Sequence, residues 1–407
     1  MAQRRHRLIE LREGAAYTQE QLAHALGVEP STVSRWERGT SIPKPGVRIR
    51  LSELFGVAQD RIQAIFNHSP CVSEDTGFTP ASLVGKAPPW GGELVVPEID
   101  VSGGGADVLH GELVRIAAEY VHRPLQDVAL PLDELGRQTV DLLDIAPPSQ
   151  LDRLRVIAGA TNLLQAHAAQ NRGRTSRAAS YLTMAARFAS ESNSRALRAA
   201  THNTSALICE WIPGQEGTAV QHAAAAFELL PRGATGVRAA AIQARAAARC
   251  GDSDLALKAL GRLARAREVP PHPEDLGVNV AGLFAFPEAK QAFYSGGTHR
   301  LLGHFHHAIS DTRRALDLYS AVPPDQHSYG DEAIARVDLV GALVTSGADD
   351  EAATHLLALT ELPPDMRIHQ LHPAVNELGR VLIDRSSVSR PAQTMVELLH
   401  GFTVSPQ

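Results

Sequence analysis

The stretch TQEQLAHALGVEPSTVSRWERG, from Thr18 to Gly39, has the form of two short helices joined by a tight turn. Thr18 is placed to cap the first helix. Its hydroxyl can accept an N–H of the first turn, and Gln21 three residues on completes a capping box. Leu22, Ala23 and Leu26 gather on one inward face. Gly27 stops the helix where a positive φ is easiest to adopt. Pro30 restarts the chain at an early helical position, where its missing N–H is not needed. From the second helix Val33 and Trp36 turn inward, while Ser31, Thr32, Ser34 and Arg35 turn outward, and Gly39 ends it. A second helix that shows short hydroxyls and an arginine to solvent has the form of a DNA-reading helix-turn-helix.

The flanking sequence completes a small head. Residues 3–13 predict a first helix with Leu8 and Leu11 inward and Arg4, Arg5 and Arg7 outside, toward phosphates. Residues 46–55 predict a fourth helix with Val47, Ile49, Leu51, Leu54 and Phe55 as core, and residues 58–66 a fifth. Net charge is −6, which by itself argues against nucleic acid. Residues 1–68 nevertheless hold ten Arg and Lys against seven Asp and Glu, and the rest of the chain holds 29 against 38. A basic head on an acidic body is what a DNA-binding end requires.

Thr18-Gln19, Leu22-Ala23, Leu26-Gly27-Val28 and Thr32-Val33-Ser34-Arg35-Trp36-Glu37 with Gly39 resemble the phage-repressor, or Xre-type, helix-turn-helix over about 60 residues. In such a head Gln19 would bond a phosphate and brace the reading helix. Arg35 is the base-reading candidate, since a guanidinium can make two hydrogen bonds to guanine O6 and N7. Ser31, Thr32 and Ser34 are short enough to touch base edges or phosphates. Arg38, Thr40 and Lys44 would grip the DNA backbone. Glu37 is expected to pair within the head.

Residues 69–106 form a Pro- and Gly-rich linker, with Trp90 set within PPWGG. Gly85-Lys86 and Gly103-Gly104-Gly105 lack the spacing of a phosphate loop. From residue 107 to 407 the chain reads as helix, beginning with 107–121, 132–144 and 149–170. A glycine followed five residues later by alanine then recurs: Gly173/Ala178, Gly214/Ala219, Gly251/Ala256, Gly303/Ala308 and Gly347/Ala352. Twelve residues after each glycine stands Ala185, Ala226, Leu263, Ala315 or Leu359. Glycine would make a turn and alanine would let two helices approach, giving a repeated helix hairpin. Successive glycines are 41, 37, 52 and 44 residues apart, with an overlong unit around PPHPEDLG. A period near 40 of this kind predicts an α-solenoid. The pattern resembles degenerate tetratricopeptide repeats, without their usual early aromatic.

The expected fold is therefore all-α: a five-helix head over 1–68, the linker, and a tetratricopeptide-like solenoid over 107–407 that senses a ligand and dimerises. Counting back from each turn glycine by tetratricopeptide geometry places His167, Gln170, Thr201, Thr204, Trp211, Arg238, Arg245, Lys290 and Arg300 on the concave face. Its basic residues would suit an anionic ligand or a peptide carboxylate.

Aromatics are 5% of the chain and alanine is abundant, which favours closely packed helices. Three scattered cysteines, Cys71, Cys209 and Cys250, give neither a disulfide framework nor a zinc pattern and suit a reducing cytosol. Without a long apolar run the expected location is the cytoplasm. His299, His304, His306 and His307 cluster without a thiolate or carboxylate at ligand spacing, so neither a metal nor a cofactor is expected. No catalytic arrangement stands out, and an enzyme is not expected. Head plus solenoid resembles the actinobacterial Xre-type regulators with tetratricopeptide-like C-terminal halves and the peptide-sensing regulators of Gram-positive bacteria. That resemblance implies a transcriptional regulator, read here as a repressor. It would bind a pseudo-palindromic operator in double-stranded DNA as a homodimer, with a peptide or small-molecule effector in the solenoid. The alternative is a DNA-localised scaffold that recruits a protein partner through the solenoid.

Overall fold

The computed structural model describes Leu8, Arg12 and residues 17–38, 40–55, 105–323, 327–387 and 389–402. The expected helix over 58–66, the side chains of Leu11 and Ile49, Gly39, the linker with Trp90, and Cys71 lie outside the described residues. So do Arg4, Arg5, Arg7, Gly85, Lys86, Gly103 and Gly104. By its internal contacts the chain divides into two compact units, Met1–Leu94 and Val95–Gln407. All regular structure among the described residues is helical.

In the first unit, α1 spans Gln19–Leu26, α2 Pro30–Glu37 and α3 Pro45–Phe55. The Thr18 hydroxyl accepts from the Gln21 N–H at 3.1 Å, and the Gln21 side chain accepts from the Thr18 N–H at 2.8 Å. This capping box satisfies two backbone donors that the first turn would leave open. Gly27 closes α1 in the left-handed region at φ 65°. Leu8, Leu22, Ala23, Leu26, Val33, Trp36 and Leu51 form the core, with Val47, Leu54 and Phe55 packed against it.

The second unit opens with α4 (Gly105–Glu119) and α5 (Leu125–Ile145). The spacing predicts a helix over 132–144, whereas α5 starts at Leu125 and carries Pro131 inside it. Burial of Leu125, Val128 and Leu132 outweighs the single N–H bond that proline removes. Helix hairpins follow: α6 (Pro148–Asn171) with α7 (Thr175–Glu191), α8 (Arg195–Glu210) with α9 (Glu216–Leu229), and α10 (Gly233–Arg249) with α11 (Ser253–Glu268). After an insertion come α13 (Glu288–Leu301) with α14 (Phe305–Ser320), α15 (Tyr329–Thr345) with α16 (Asp349–Thr360), and α17 (Leu371–Ser386) with α18 (Arg390–His400).

The glycine register describes the turns. Gly173, Gly214, Gly251, Gly303 and Gly347 all have positive φ, between 70° and 82°. The alanines five residues on, and the apolar residues twelve on, are all buried. The α17–α18 hairpin uses no such glycine and stands outside the pattern. First helices stack on first helices, α10 on α13, α13 on α15 and α15 on α17, and form a continuous inner layer.

The overlong unit does not break that layer. Residues 270–287 loop inward as a short α12 (Leu276–Asn279) and a 3-10 turn (Gly282–Phe284), packed on α10, α8 and α4. Gly282 lies so close to α4 that a Cβ there would collide with the Ala117 carbonyl. Asp275, fully buried, holds the loop by accepting from the Thr235 hydroxyl at 2.7 Å and the Thr235 N–H at 3.2 Å. The far end of the solenoid also returns to its start. The His369 N–H donates to the Asn171 carbonyl at 2.8 Å, and the Gln370 amide donates to the Asn171 side-chain oxygen at 2.8 Å. Asn171 in turn donates to the Tyr120 hydroxyl at 2.9 Å. A concave groove is the expectation for a solenoid. Here the insertion and this contact narrow its inner face to small chambers.

Candidate functional site

On the head, α2 holds its face through a buried network. Glu37, at the inner end of the helix, accepts from Arg12 at 2.6 Å and from the Gln19 amide at 2.5 Å. Gln19 thus braces α2 directly, and its nitrogen keeps a second N–H to offer elsewhere. Ser31, Arg35, Arg38, Thr40 and Lys44 are exposed, and Thr32 and Ser34 half-buried. The Arg35 guanidinium lies back along α2, donating to the Ser31 carbonyl at 3.3 Å and the Thr32 hydroxyl at 3.1 Å. These are weak exposed bonds, which a bidentate contact to a base edge could replace. Arg38 similarly donates to the Ser34 carbonyl at 3.3 Å. Thr40 also has a part in the fold. Its hydroxyl donates to the Arg35 carbonyl at 3.1 Å and its N–H bonds the same atom at 3.0 Å, so it secures the end of α2.

In the solenoid the structure brings five of the nine expected inner-face residues onto one chamber of ≈ 70 Å³: His167, Trp211, Arg238, Arg245 and Lys290. The other four do not reach it. Gln170 donates to the Leu207 carbonyl at 3.4 Å, and Thr201 bonds back to the Leu197 carbonyl at 2.8 Å. Thr204 stands behind His167, 3.3 Å from its Nε2. Arg300 is consumed by Asp338 at 2.7 Å and Glu377 at 3.0 Å.

The three chamber cations differ in their compensation. Arg245 is clamped by both oxygens of Glu210, which is as deeply buried as it is. Its Nη1 nevertheless remains buried without a hydrogen-bond partner. Lys290 pairs with Asp331 at 2.9 Å. Arg238 is 6% exposed and donates to the Leu283 carbonyl. Among the described residues no carboxylate forms an ion pair with it. Burial pushes the Arg238 and Lys290 pKa values down. Burial, reinforced by the fields of Arg238 and Lys290, pushes His167 well below its ordinary value, so the imidazole stays neutral. Tyr294 is pushed up, mainly by burial. It lies one turn beyond Lys290 on α13, a spacing that could have placed it on the same face, with the Arg245 guanidinium 4.0 Å over its ring. Asp331, Tyr329, Gln370 and Leu283 also line the chamber, and no sequence signal pointed to them, because long-range closure brings them in.

A second chamber of ≈ 380 Å³ opens beside the first and shares Val121, Lys290, Ser328 and Asp331 with it. Its wall is otherwise mainly apolar, with Ala118, Ala285, Pro287, Ala289 and Leu318.

The histidine cluster is real as packing. His299 lies 5.2 Å from His307 and 5.6 Å from His304 between ring centres, with the carboxylate of Asp311 at 3.9 Å from its Nε2. Among the described residues no group of three or more His, Cys, Asp or Glu is placed to hold a metal ion. No described helix is long and apolar enough to cross a membrane.

With this geometry in view, comparison with known proteins adds one domain. Residues 8–58 match the helix-turn-helix family HTH_3, which spans the braced head described above. Comparison with curated protein sequences returns no match. Among solved structures the chain is similar to the apo form of the competence regulator ComR from Streptococcus vestibularis. The identity is 10% and the TM-score 0.29, over 83% of this chain and 96% of that one. At that score the likeness carries no inference about arrangement, ligand or target. The chain is thus an all-helical protein with a helix-turn-helix head followed in sequence by a helical solenoid.

Proposed function

We propose that this chain is a sequence-specific, DNA-binding transcriptional regulator whose operator affinity is set by a small ligand in the solenoid. The observation that carries the DNA half is α2, which shows Arg35, Ser31, Thr32 and Ser34 outward from a helix locked by the Arg12–Glu37–Gln19 network. A locked helix presents its side chains without an ordering cost at the moment of binding. One head of this size reads few bases. We therefore infer a homodimer on a pseudo-palindromic operator, with two reading helices about 34 Å apart in successive major grooves. Repression is the inferred output. The regulated half rests on the cationic chamber. A ligand bound there shifts the population toward one arrangement of the solenoid and so changes how two heads meet DNA. The ligand can shift that balance only by its differential affinity for the two arrangements.

Genome-wide mapping of bound DNA, followed by binding isotherms on recovered and scrambled sites, tests the reading. A preference for recovered sites of about 10³-fold or more is expected of a specific binder. Equal affinity for both would overturn it. A scaffold role would draw instead on α5, which exposes Leu130 (74%), Ile145 (64%) and Val140 (49%). A stoichiometric protein partner lost on Leu130→Ser would favour that role.

A further inference from the structure

We propose that the two chambers together form one site for a small amphiphilic anion. A compact carboxylate or phosphate head would sit among Arg238, Arg245 and Lys290, and an apolar tail would run into the larger chamber beyond Lys290. The inference rests on the reading of the solenoid as ligand-binding and names the chemistry of that ligand.

Charge is the first argument. Arg238 is buried, meets the Leu283 carbonyl and the Phe286 ring, and has no carboxylate ion-paired to it among the described residues; Arg245 carries an Nη1 that is buried with no acceptor. Buried charges are ordinarily paired, since stripping water from a guanidinium without a counter-charge is strongly unfavourable. Asp331 is already engaged by Lys290 and Glu210 by Arg245. The chamber therefore carries one cation more than its carboxylates balance, together with an orphaned guanidinium donor. A single anion supplies both missing partners through charge-assisted hydrogen bonds.

Shape is the second argument. The inner chamber of ≈ 70 Å³ has room for a compact head group and water, since one water needs only about 10–15 Å³ by this measure. At that volume it is too small for an extended peptide backbone. The outer chamber of ≈ 380 Å³ lies within the usual range for small-molecule sites, roughly 300–1,000 Å³. Ala118, Ala285, Pro287, Ala289 and Leu318 give it an apolar wall, and Lys290 and Asp331 stand at the junction. A polar head with an apolar tail matches that order, whereas a free inorganic anion would leave the outer chamber unused.

The test is calorimetric titration of the full chain, without DNA, with decanoate, decyl phosphate, decanol and acetate. Decanoate or decyl phosphate is expected to bind, and which of the two binds better separates a carboxylate from a phosphate ligand. Decanol and acetate are expected to bind at least about tenfold more weakly, one lacking the charge and the other the tail. Arg238→Gln should weaken the anion by about ten- to hundredfold, the worth of hydrogen bonds to a charged group. Ala118→Trp, exposed at the wall of the outer chamber, should weaken decanoate and leave acetate unchanged. It keeps the test open should Arg238→Gln fail to fold. Equal binding of decanol and decanoate, or of acetate and decanoate, overturns the proposal, as does an unaltered decanoate affinity in both variants. The regulatory reading fails separately. Decanoate that binds yet leaves operator affinity unchanged upholds this site and counts against the regulation. A peptide that shifts operator affinity where decanoate does not bind does the reverse.

Discussion

Arg35 on α2 and Arg245 on α10 are the same side chain in opposite circumstances. Arg35 is exposed and makes two weak bonds to its own helix. Arg245 is 2% exposed and held by both oxygens of Glu210. The first can exchange its partners for an external one at little cost. The second is committed to the fold apart from its orphaned Nη1. Arg238 lies between them, buried like Arg245 and, among the described residues, without an ion pair like Arg35. What an arginine is available to do follows from where its counter-charge is.

The largest expected effect separates those cases. Glu210→Gln should cost about 3–5 kcal/mol of solenoid stability, because it leaves the Arg245 charge buried and unpaired. Glu37→Gln should destabilise the head, because the same carboxylate accepts from both Arg12 and Gln19. Arg238→Met removes no ion pair and should change stability far less. Urea unfolding of the full chain measures all three. A Glu210→Gln loss no larger than that of Arg238→Met would break the comparison.

A pH titration comes next in size. In the fold the His167 pKa lies well below 6.5, driven mainly by burial. The unfolded chain therefore takes up that proton first as pH falls. The contribution of His167 is complete above pH 6.5 and is lost below it, at up to about 1.4 kcal/mol per pH unit. His202, His222 and His299, each roughly half-buried, are shifted the same way by burial and steepen the fall. Lowered carboxylates such as Glu377 act only further down, below their ordinary 4.5. His167→Asn should flatten the stability curve between pH 6.5 and 5. An unchanged slope would mean that His167 takes up its proton as readily in the fold as in the unfolded chain, and that its burial does not hold it neutral.

Arg35→Ala tests the exposed member of the comparison. It should cost about 1–3 kcal/mol of discrimination at one base pair and leave stability within about 0.5 kcal/mol. Isotherms on matched and singly substituted sites check it, and equal losses on every sequence would reassign Arg35 to the DNA backbone.

The two regions were also unequally legible. The head's cap, its turn glycine and its core residues are local, decided within a few positions, and the chain spells them out from Thr18 to Trp36. The hairpins were legible for the same reason. Gly303 and Ala308 act on one turn, and no distant contact can alter that requirement. The helix expected over 132–144 begins at Leu125 instead, because burial along its whole length offsets the internal Pro131. The chamber was half legible. Helical spacing put Arg238 and Arg245 two turns apart on one face. Asp331, Gln370 and Leu283 arrive through chain closure over tens to hundreds of residues, which no spacing encodes. Arg300 shows the converse: its position was readable, but Asp338 and Glu377, which engage it, were not.

Lys44 gives the smallest effect and the cleanest contrast with Arg35. It is exposed and lies in the loop after α2, beyond the face that shows Arg35 and the hydroxyls. A flexible ammonium there meets a phosphate as a point charge and carries no information about the base. Lys44→Ala should therefore weaken matched and scrambled DNA by the same factor. It should also reduce the slope of log affinity against log salt by about 1, the counterion released by one phosphate contact. Arg35→Ala should change the matched site more than the scrambled one. If Lys44→Ala instead erodes discrimination while the salt slope holds, the loop reads bases. The division of labour between α2 and the residues after it would then fall, even with the fold and the chamber unchanged.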